Sequence, residues 1–489
     1  MTNSTVRKFS LYICVLAVAA FFHLFFVPNM SPLFLCSGGD SSIFQEVGMA
    51  MLQGKTPYFD LFDHKGFLLY CIQFLGLLIH QGHYGLYLLS VINMVVFAVL
   101  WIKTTRLVLN RRDSVIAIGF TLIVYMMLHM KGNETEVWSL PYISYAIYLL
   151  TRYLIKGKEP SNKQCLLVGI GIGVISFIRL NNAAPVIFAC IYFLIEMLRE
   201  KDYKKLISRI LYVLAGLVVV SLSSILLFGL CYGANHVYDM IYGTFIFNFE
   251  YARVWAQEQE SILKAPFLMA VLVSLISIIV AFKDKQIKFA WIIVMGFVFS
   301  LLCMGKSYYS HYFAIIIPFF LLFAIFILSS NTYREFHYKK YLAVGCCLLL
   351  SCGLLIAKPY LTKKMDGIVY YEKGLREISD SLRTIPANEL DSIWNYSGNF
   401  KGADVLRSIN KVQMNRIILR LQYSVTDELK ENHSLEEVRP LWIIVGLNYI
   451  HKNNEIKDST FIMDNYEKQF TTNLEANPSS NIAFYRRIK

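Results

Sequence analysis

Residues Ser37–Leu69 read SGGDSSIFQEVGMAMLQGKTPYFDLFDHKGFLL, and the setting of this stretch decides the fold. It follows the first long apolar segment directly and carries Asp40, Glu46, Lys55, Asp60, Asp63, His64 and Lys65. Around it, apolar runs of membrane-crossing length recur from Leu11 to Ala357. A run of about 20 residues matches a hydrocarbon core about 30 Å thick, where only a helix satisfies its own backbone. Such a dense set of ionisable groups at the edge of a bilayer marks the place where the chain meets something polar.

From Lys358 onward the composition turns polar and charged. The chain therefore predicts an all-α polytopic membrane domain over 1–357 and a small C-terminal α/β domain over 358–489. In the second part Asp391–Tyr396, Leu441–Val445 and Ile482–Arg487 are rich in β-branched and aromatic residues and predict strands. Gly402–Ile409, Val425–Glu431 and Thr460–Phe470 predict helices.

Charge orients the membrane part. The formal net charge is +13, yet residues 359–489 hold 18 Lys/Arg against 17 Asp/Glu, so the surplus belongs to the membrane half. Arg7 and Lys8 hold the start of the first span, Phe9–Val27, in the cytoplasm, and that run is long enough to stay as an anchor. The next apolar run, Phe67–Ile79, is short. If it crossed, Lys103, Arg106, Arg111 and Arg112 would lie outside, against the positive-inside rule. Read instead as a juxtamembrane helix over 67–80, it makes the later loops agree. Spans then lie near Tyr84–Trp101, Ser114–Met130, Val137–Ile155, Cys165–Phe177, Ala183–Met197, Ile207–Cys231, Pro266–Phe282, Phe289–Met304, Tyr312–Ser329 and Tyr341–Ala357. That makes eleven spans, with 21 Lys/Arg on the cytoplasmic side of residues 1–357 and 7 outside. The loop 29–66 and the C-terminal domain are then extracytoplasmic.

Several function classes drop out. No Cys lies beyond Cys352 and no CxxC pair occurs, which argues against a disulfide framework or a zinc site; Cys36 and Cys71 could share a compartment. No soluble module carries a basic, aromatic face for nucleic acid. HExxH, P-loop, GxSxG and GxGxxG contexts are missing, against zinc hydrolase, nucleotide-driven and serine-hydrolase readings.

The remaining chemistry gathers in the outer loops. Asp40 follows Gly38-Gly39 and opens a run in which Ile43, Phe44, Val47, Met51 and Leu52 share one helical face, as in an interfacial helix lying on a bilayer. Asp40 is either its N-cap or free, because Ser42 with Gln45 has capping-box spacing. Asp63, His64 and Lys65 crowd before the next apolar helix and offer a carboxylate and a cation for an anionic head group. Glu134 and Glu136 stand before the fourth span, Arg179 at the end of the fifth, where a lone arginine ordinarily snorkels, and Lys306 and His311 among tyrosines before the tenth.

The arrangement GGD-x(13)-GKTPY-x-D-x-F-DHKG after a first membrane helix resembles the GT-C-type integral membrane glycosyltransferases, which include protein O-mannosyltransferases and lipid A aminoarabinose transferases. Their first outer loop carries an acid at the position of Asp40 and ends in a D-[HKN]-K-P-P-like motif. Asp63-His64-Lys65 match it, with Gly66-Phe67 replacing the prolines. A second-loop acid corresponds to Glu134 or Glu136, and SYYSHYF resembles the tyrosine-rich basic stretch, with Lys306 and His311.

The resemblance implies a bacterial plasma-membrane enzyme. Its donor is a sugar on polyprenyl phosphate, its acceptor is a cell-surface glycan, lipid or protein, and the anomeric centre inverts. On that reading Asp40 acts as general base, and Lys65 with one or more of Arg179, Lys306 and His311 stabilises the departing phosphate. Alternatively Asp40 and Glu134 hold a divalent cation, Mg or Mn, as hard oxygen ligands. The rival readings are a lipid-linked glycan flippase or transporter and a glycan polymerase or ligase. A transporter calls for ionisable residues at mid-span, whereas here they sit at helix ends.

Overall fold

The structure, a computed structural model, describes residues 3–35, 38–128, 132–255, 265–304, 309–335, 367–396, 400–416, 435–447, 457–472, 474 and 481–488. The chain opens with α1 (Asn3–Phe26) and the short helices α2 (Asp40–Leu52) and α3 (Phe67–Ile79). Then come α4 (Tyr84–Thr105), α5 (Arg111–Leu128), α6 (Thr135–Lys156), α7 (Asn162–Arg179), α8 (Ala184–Glu200) and α9 (Tyr203–Tyr232). Short α10 (Val237–Ile241), a π-helical segment (Tyr242–Ile246) and α11 (Phe247–Trp255) lead to α12 (Ala265–Asp284), α13 (Ile287–Cys303), α14 (Ile317–Ser329) and α15 (Asn331–Glu335).

Among the described residues five stretches are long and apolar enough to cross a membrane: Tyr84–Thr105, Asn162–Glu200, Tyr203–Tyr232, Pro266–Asp284 and His311–Ser329. The protein is multi-pass. Helices stand at the other expected spans as well, except Tyr341–Ala357, which lies outside the described residues. Position in the bundle follows composition. On α14 Ile317–Leu322 are all buried, as a helix apolar on every side must be in a centre. On α9 the same kind of residue faces outward, Leu230 being 84% exposed, the exposure that lipid covers.

Apolar side chains gain little from meeting each other instead of lipid, so close backbone approach and polar contacts must hold the helices together. Gly169 and Gly216 do this between α7 and α9. A Cβ on Gly169 would meet the Val213 carbonyl oxygen at 1.9 Å, and one on Gly216 the Leu166 carbonyl oxygen at 2.2 Å. Between α4 and α6, Trp101 Nε1 donates to Ser144 Oγ (2.9 Å) and Asn93 Nδ2 to the Val137 carbonyl (2.9 Å).

The C-terminal residues form α16 (367–383), α17 (Ala387–Leu390), α18 (Phe400–Ser408) and a four-stranded sheet of order β1-β2-β4-β3. The strands are β1 (Ile393–Trp394), β2 (Trp442–Gly446), β3 (Tyr466–Thr471) and β4 (Ile482–Arg487). β1 runs parallel to β2; β4 is antiparallel to β2 and to β3. All five residues of β2 are buried, because Leu375, Leu382, Val405 and Leu406 cover one face of the sheet and Ile462 the other. The expected helix Thr460–Phe470 is corrected: helix Lys457–Asn465 ends and β3 begins at Tyr466. Glu467, Lys468 and Gln469 look helical in isolation, but pairing with β4 overrides that preference. The expected helix Val425–Glu431 lies outside the described residues.

The surface-lying reading of α2 is also corrected. Ser41 through Met51 are all buried, because α3 packs on one side and α18 on another. The polar face meant for water meets the C-terminal segment instead. Arg407 Nη1 donates to the Leu35 carbonyl (2.6 Å) and its Nε to Gln45 Oε1. The Gln413 amide donates to Glu46 Oε1 (3.3 Å), while Lys55 Nζ donates to the Gln413 carbonyl (3.1 Å). Arg416 Nη2 donates to the Tyr58 carbonyl (2.9 Å), and the Phe62 amide to the Arg416 carbonyl (2.6 Å). Complete burial pushes the Glu46 carboxyl up to about 7, against the amide of Gln413 and the charge of Lys55.

Two outcomes follow from this packing. A Gly216→Val variant overfills the α7–α9 seam and loses about 1–3 kcal/mol, seen as a lower unfolding midpoint in detergent. Glu46 binds its proton more tightly folded than unfolded, so its contribution is full below its ordinary value and is lost as pH rises through about 7. The unfolding midpoint therefore falls between about pH 5 and about pH 8 in wild type, and Glu46→Gln flattens that slope.

Candidate active site

Two glycines with positive φ, Gly38 (57°) and Gly39 (58°), turn the chain into α2, so that Asp40 is its first residue. Gly39 is the N-cap and no side chain caps the helix locally, so the Ser42–Gln45 capping box does not form. Ser42 Oγ donates instead to Asp404 Oδ1 (2.6 Å), and Gln45 Nε2 to Ser41 Oγ (3.1 Å). Asp40 itself is half-buried and takes no hydrogen bond among the described residues. Its charge is felt at His64, Arg179, Tyr251 and Tyr312, which draws elements far apart in sequence around one carboxylate.

The Asp63-His64-Lys65 turn is a relay. Asp63 is 1% exposed; its Oδ2 accepts from Tyr70 Oη (2.7 Å) and its Oδ1 lies 3.4 Å from His64 Nδ1. Burial would raise the Asp63 carboxyl, but Lys65 and the bonds from His64 and Tyr70 outweigh it and hold it well below the usual carboxylate range. Burial and the neighbouring Lys65 push the His64 imidazole below its usual range. The network then assigns a neutral ring: Nδ1–H faces Asp63, and Nε2 accepts from Lys65 Nζ at 2.9 Å. The ring stacks on Tyr251 (4.7 Å between centroids), and Asn248 Nδ2 donates to the His64 carbonyl (2.9 Å). Lys65 is thereby the partly exposed cation of the turn, with Asp63 and His64 behind it.

Arg179 does not snorkel. It stands where α7 breaks into a 3-10 turn (Leu180–Ala183), its Nη1 2.6 Å from Glu136 Oε1 and its guanidinium carbon 3.7 Å from the centroid of Tyr312. Glu136 is 1% exposed, and its other oxygen, Oε2, has no hydrogen-bond partner among the described residues. Glu136 is thus the counter-ion of Arg179, a different position from a free acid. Glu134 is the N-cap of α6, and its Oε1 accepts from the Gly132 amide (3.1 Å). His311 lies in the 3-10 turn Ser310–Ile316, against Tyr312 (4.6 Å) and Tyr309 (6.0 Å). Lys306 lies outside the described residues, as does Cys36, while Cys71 is a free thiol.

The loop that carries Glu134 and Glu136 is tied to the Asp40 loop by residues without charge. Asn133 Nδ2 donates to Ser41 Oγ (2.9 Å) and to Gln73 Oε1 (2.9 Å), and its Oδ1 accepts from Gln73 Nε2 and from Trp138 Nε1, each at 2.9 Å. Asn29 Nδ2 reaches the Gly132 carbonyl at 3.0 Å and the Gly38 carbonyl at 3.4 Å. Sequence reasoning missed Asn133, Tyr251 and Tyr312. Only Tyr312 carried a signal, its place beside His311, and interfacial tyrosines are too common to single it out.

Among the described residues no group of three His, Cys, Asp or Glu side chains converges as a metal site, and Glu136 is engaged by Arg179. Asp40 and Glu134 are the oxygen ligands that would hold a divalent cation, an ion commonly bound by one or two carboxylates with waters and a substrate phosphate.

The arrangement has relatives. The family model described as "Putative competence-induced protein Ccs4 N-terminal domain" matches residues 4–350. Comparison with curated proteins finds no match. Among solved structures, the apo oligosaccharyltransferase of Archaeoglobus fulgidus aligns with TM-score 0.51 at 12% identity, over 90% of this chain and 70% of that one. The same enzyme in complex with Zn and sulfate gives 0.46 at 12%, over 89% and 68%. ArnT of Cupriavidus metallidurans bound to undecaprenyl phosphate gives 0.45 at 13%, over 82% and 75%. The fold is GT-C-like. By the family match, which spans most of its length, the chain belongs to the Ccs4 N-terminal domain family.

Proposed function

We propose that the protein is a membrane glycosyltransferase. It moves a sugar from a polyprenyl-phosphate donor to a hydroxyl of a surface glycan, lipid or protein on the non-cytoplasmic face, with inversion. The observation that carries this reading is Asp40: a half-buried carboxylate with no hydrogen bond among the described residues, whose charge is felt at His64, the ring behind Lys65, and at Arg179. The topology that goes with it has eleven spans over 1–357, an inner N-terminus and an extracytoplasmic domain over 358–489. The GT-C-like fold supports the class of protein; the donor and the acceptor are what the resemblance to the GT-C glycosyltransferases implies.

In the reaction Asp40 takes the proton of the acceptor hydroxyl as its oxygen attacks the anomeric carbon. The bond from that carbon to the phosphate oxygen breaks, and its electron pair leaves on the polyprenyl phosphate. Lys65, aimed by the Asp63–His64 pair, offsets the charge that develops there, together with one or more of Arg179, Lys306 and His311. Glu136 holds Arg179 in place, and no step passes through a metal. Preorganised charge at a leaving group costs no reorganisation when the bond breaks.

Purified full-length protein in lipid nanodiscs, offered a panel of polyprenyl-phosphate sugars, tests this. Asp40→Asn lowers turnover roughly 10²–10⁴-fold, the usual worth of a positioned base. Lys65→Ala raises the donor KM about tenfold or more, through loss of a charge-assisted bond. Equal turnover in Asp40→Asn removes the base role. Absence of transfer by wild type from every donor, with lipid-linked glycan crossing the bilayer instead, moves the protein to the flippase class. EDTA leaves turnover unchanged; activity lost and then restored by Mg or Mn returns the divalent-cation mechanism.

A further inference from the structure

α2 presents Asp40, yet nothing in its own neighbourhood caps it. Its N-cap is a glycine at φ +58°, and the serine spaced to cap it points elsewhere. The first turn of a helix exposes amide groups and a partial positive charge, and a side-chain oxygen or carboxylate ordinarily answers both. Among the described residues no first-turn amide meets a side chain here; the turn is held from residue 404 instead. The Asp404 carboxylate, 1% exposed, accepts from the Gly38 amide at 3.0 and 3.1 Å through its two oxygens. Oδ1 also accepts from Ser42 Oγ (2.6 Å), and Oδ2 from Tyr371 Oη (2.8 Å). Gly38 and Ser42 flank Asp40 by two residues on each side. The one buried carboxylate therefore grips the chain before and after the residue proposed as base, whose own carboxylate takes no hydrogen bond among the described residues.

We propose that Asp404 is the positioning residue for Asp40: from the C-terminal domain it ties the Gly38 amide to the Ser42 hydroxyl and fixes where the side chain between them stands. The two glycines before Asp40 make such a grip necessary, since both sit at positive φ and offer the turn no side-chain packing of their own. The C-terminal domain thereby completes the site, although it contributes no group to the chemistry. This rests on the reading of Asp40 as general base.

Hydrogen exchange and kinetics on the full-length protein in nanodiscs test the assignment, using Asp404→Asn and the milder Ser42→Ala. Asp404→Asn speeds exchange of the amides at 38–44 about fivefold or more, as loss of a charge-assisted tie across the turn does, while the α4 amides keep their rate. Its kcat falls about tenfold to a hundredfold with donor KM held within about twofold, the signature of a misplaced base. Adding Asp40→Asn to Asp404→Asn costs nothing beyond Asp40→Asn alone, and Ser42→Ala moves exchange and kcat the same way to a smaller degree. Three results overturn the assignment: unchanged exchange at 38–44, a kcat that falls only with the folded fraction, or losses from Asp40→Asn and Asp404→Asn that multiply. If Asp404→Asn does not fold, Ser42→Ala is read by the same criteria. If wild type transfers no sugar, the exchange measurement alone decides the anchoring role, and the glycosyltransferase reading falls separately.

Discussion

A charge at the rim of an apolar bundle has to be paired, hydrogen-bonded or neutral, because its hydration is gone and its solvent substitute must come from the protein. Most of this site obeys that demand. Asp63 is held by Tyr70 and faces His64, Arg179 is closed by Glu136 and Tyr312, and Glu46 is pushed toward its neutral form by complete burial. Asp40 departs from the pattern, with no hydrogen bond among the described residues. Such an ion lowers its energy by taking a donor from a substrate, and the proposed role uses that property.

The same demand explains the architecture around it. Three segments distant in sequence, the α2 loop, the turn before α6 and residues 400–416, are joined by polar groups whose only alternative is an unmet hydrogen bond. Asn133, in the turn before α6, bonds Ser41 on α2, Gln73 on α3 twice and Trp138 on α6. Asp404, Arg407 and the backbone of Gln413 and Arg416 do the same on the third. A buried polar network that is nearly complete rigidifies what it touches, since no member can move without stranding another. The spans supply the scaffold, and this network supplies the register of the side chains upon it.

Much of this was legible. The alternation of apolar runs and basic loops gave the helices and their approximate bounds, and the charges of residues 60–65 marked one wall of the site. What misled was local reasoning about α2. Its apolar face at Ile43, Phe44, Val47 and Met51 reads as amphipathic, and the implied polar face reads as wet. In the structure that polar face is covered by α18, some 350 residues later. The same cover turned the Ser42–Gln45 spacing away from a capping box, because Asp404 offered Ser42 a stronger, charged acceptor. Arg179 looked like a snorkelling end of a span for a similar reason: its counter-ion lies 43 residues away, on another helix.

What the sequence determined by itself is whatever hydropathy, helix length and charge count decide: a multi-spanning bundle, a polar loop after its first helix, and a polar C-terminal part. These are properties of single segments in contact with lipid or water, and a segment carries them wherever it lies. Which carboxylate takes no hydrogen bond among the described residues, which lysine a histidine aims, and which distant acid holds the turn of Asp40 were decided only by the tertiary structure. Those are properties of pairs, set by distances of about 3 Å between residues whose separation in the chain carries no record of their meeting.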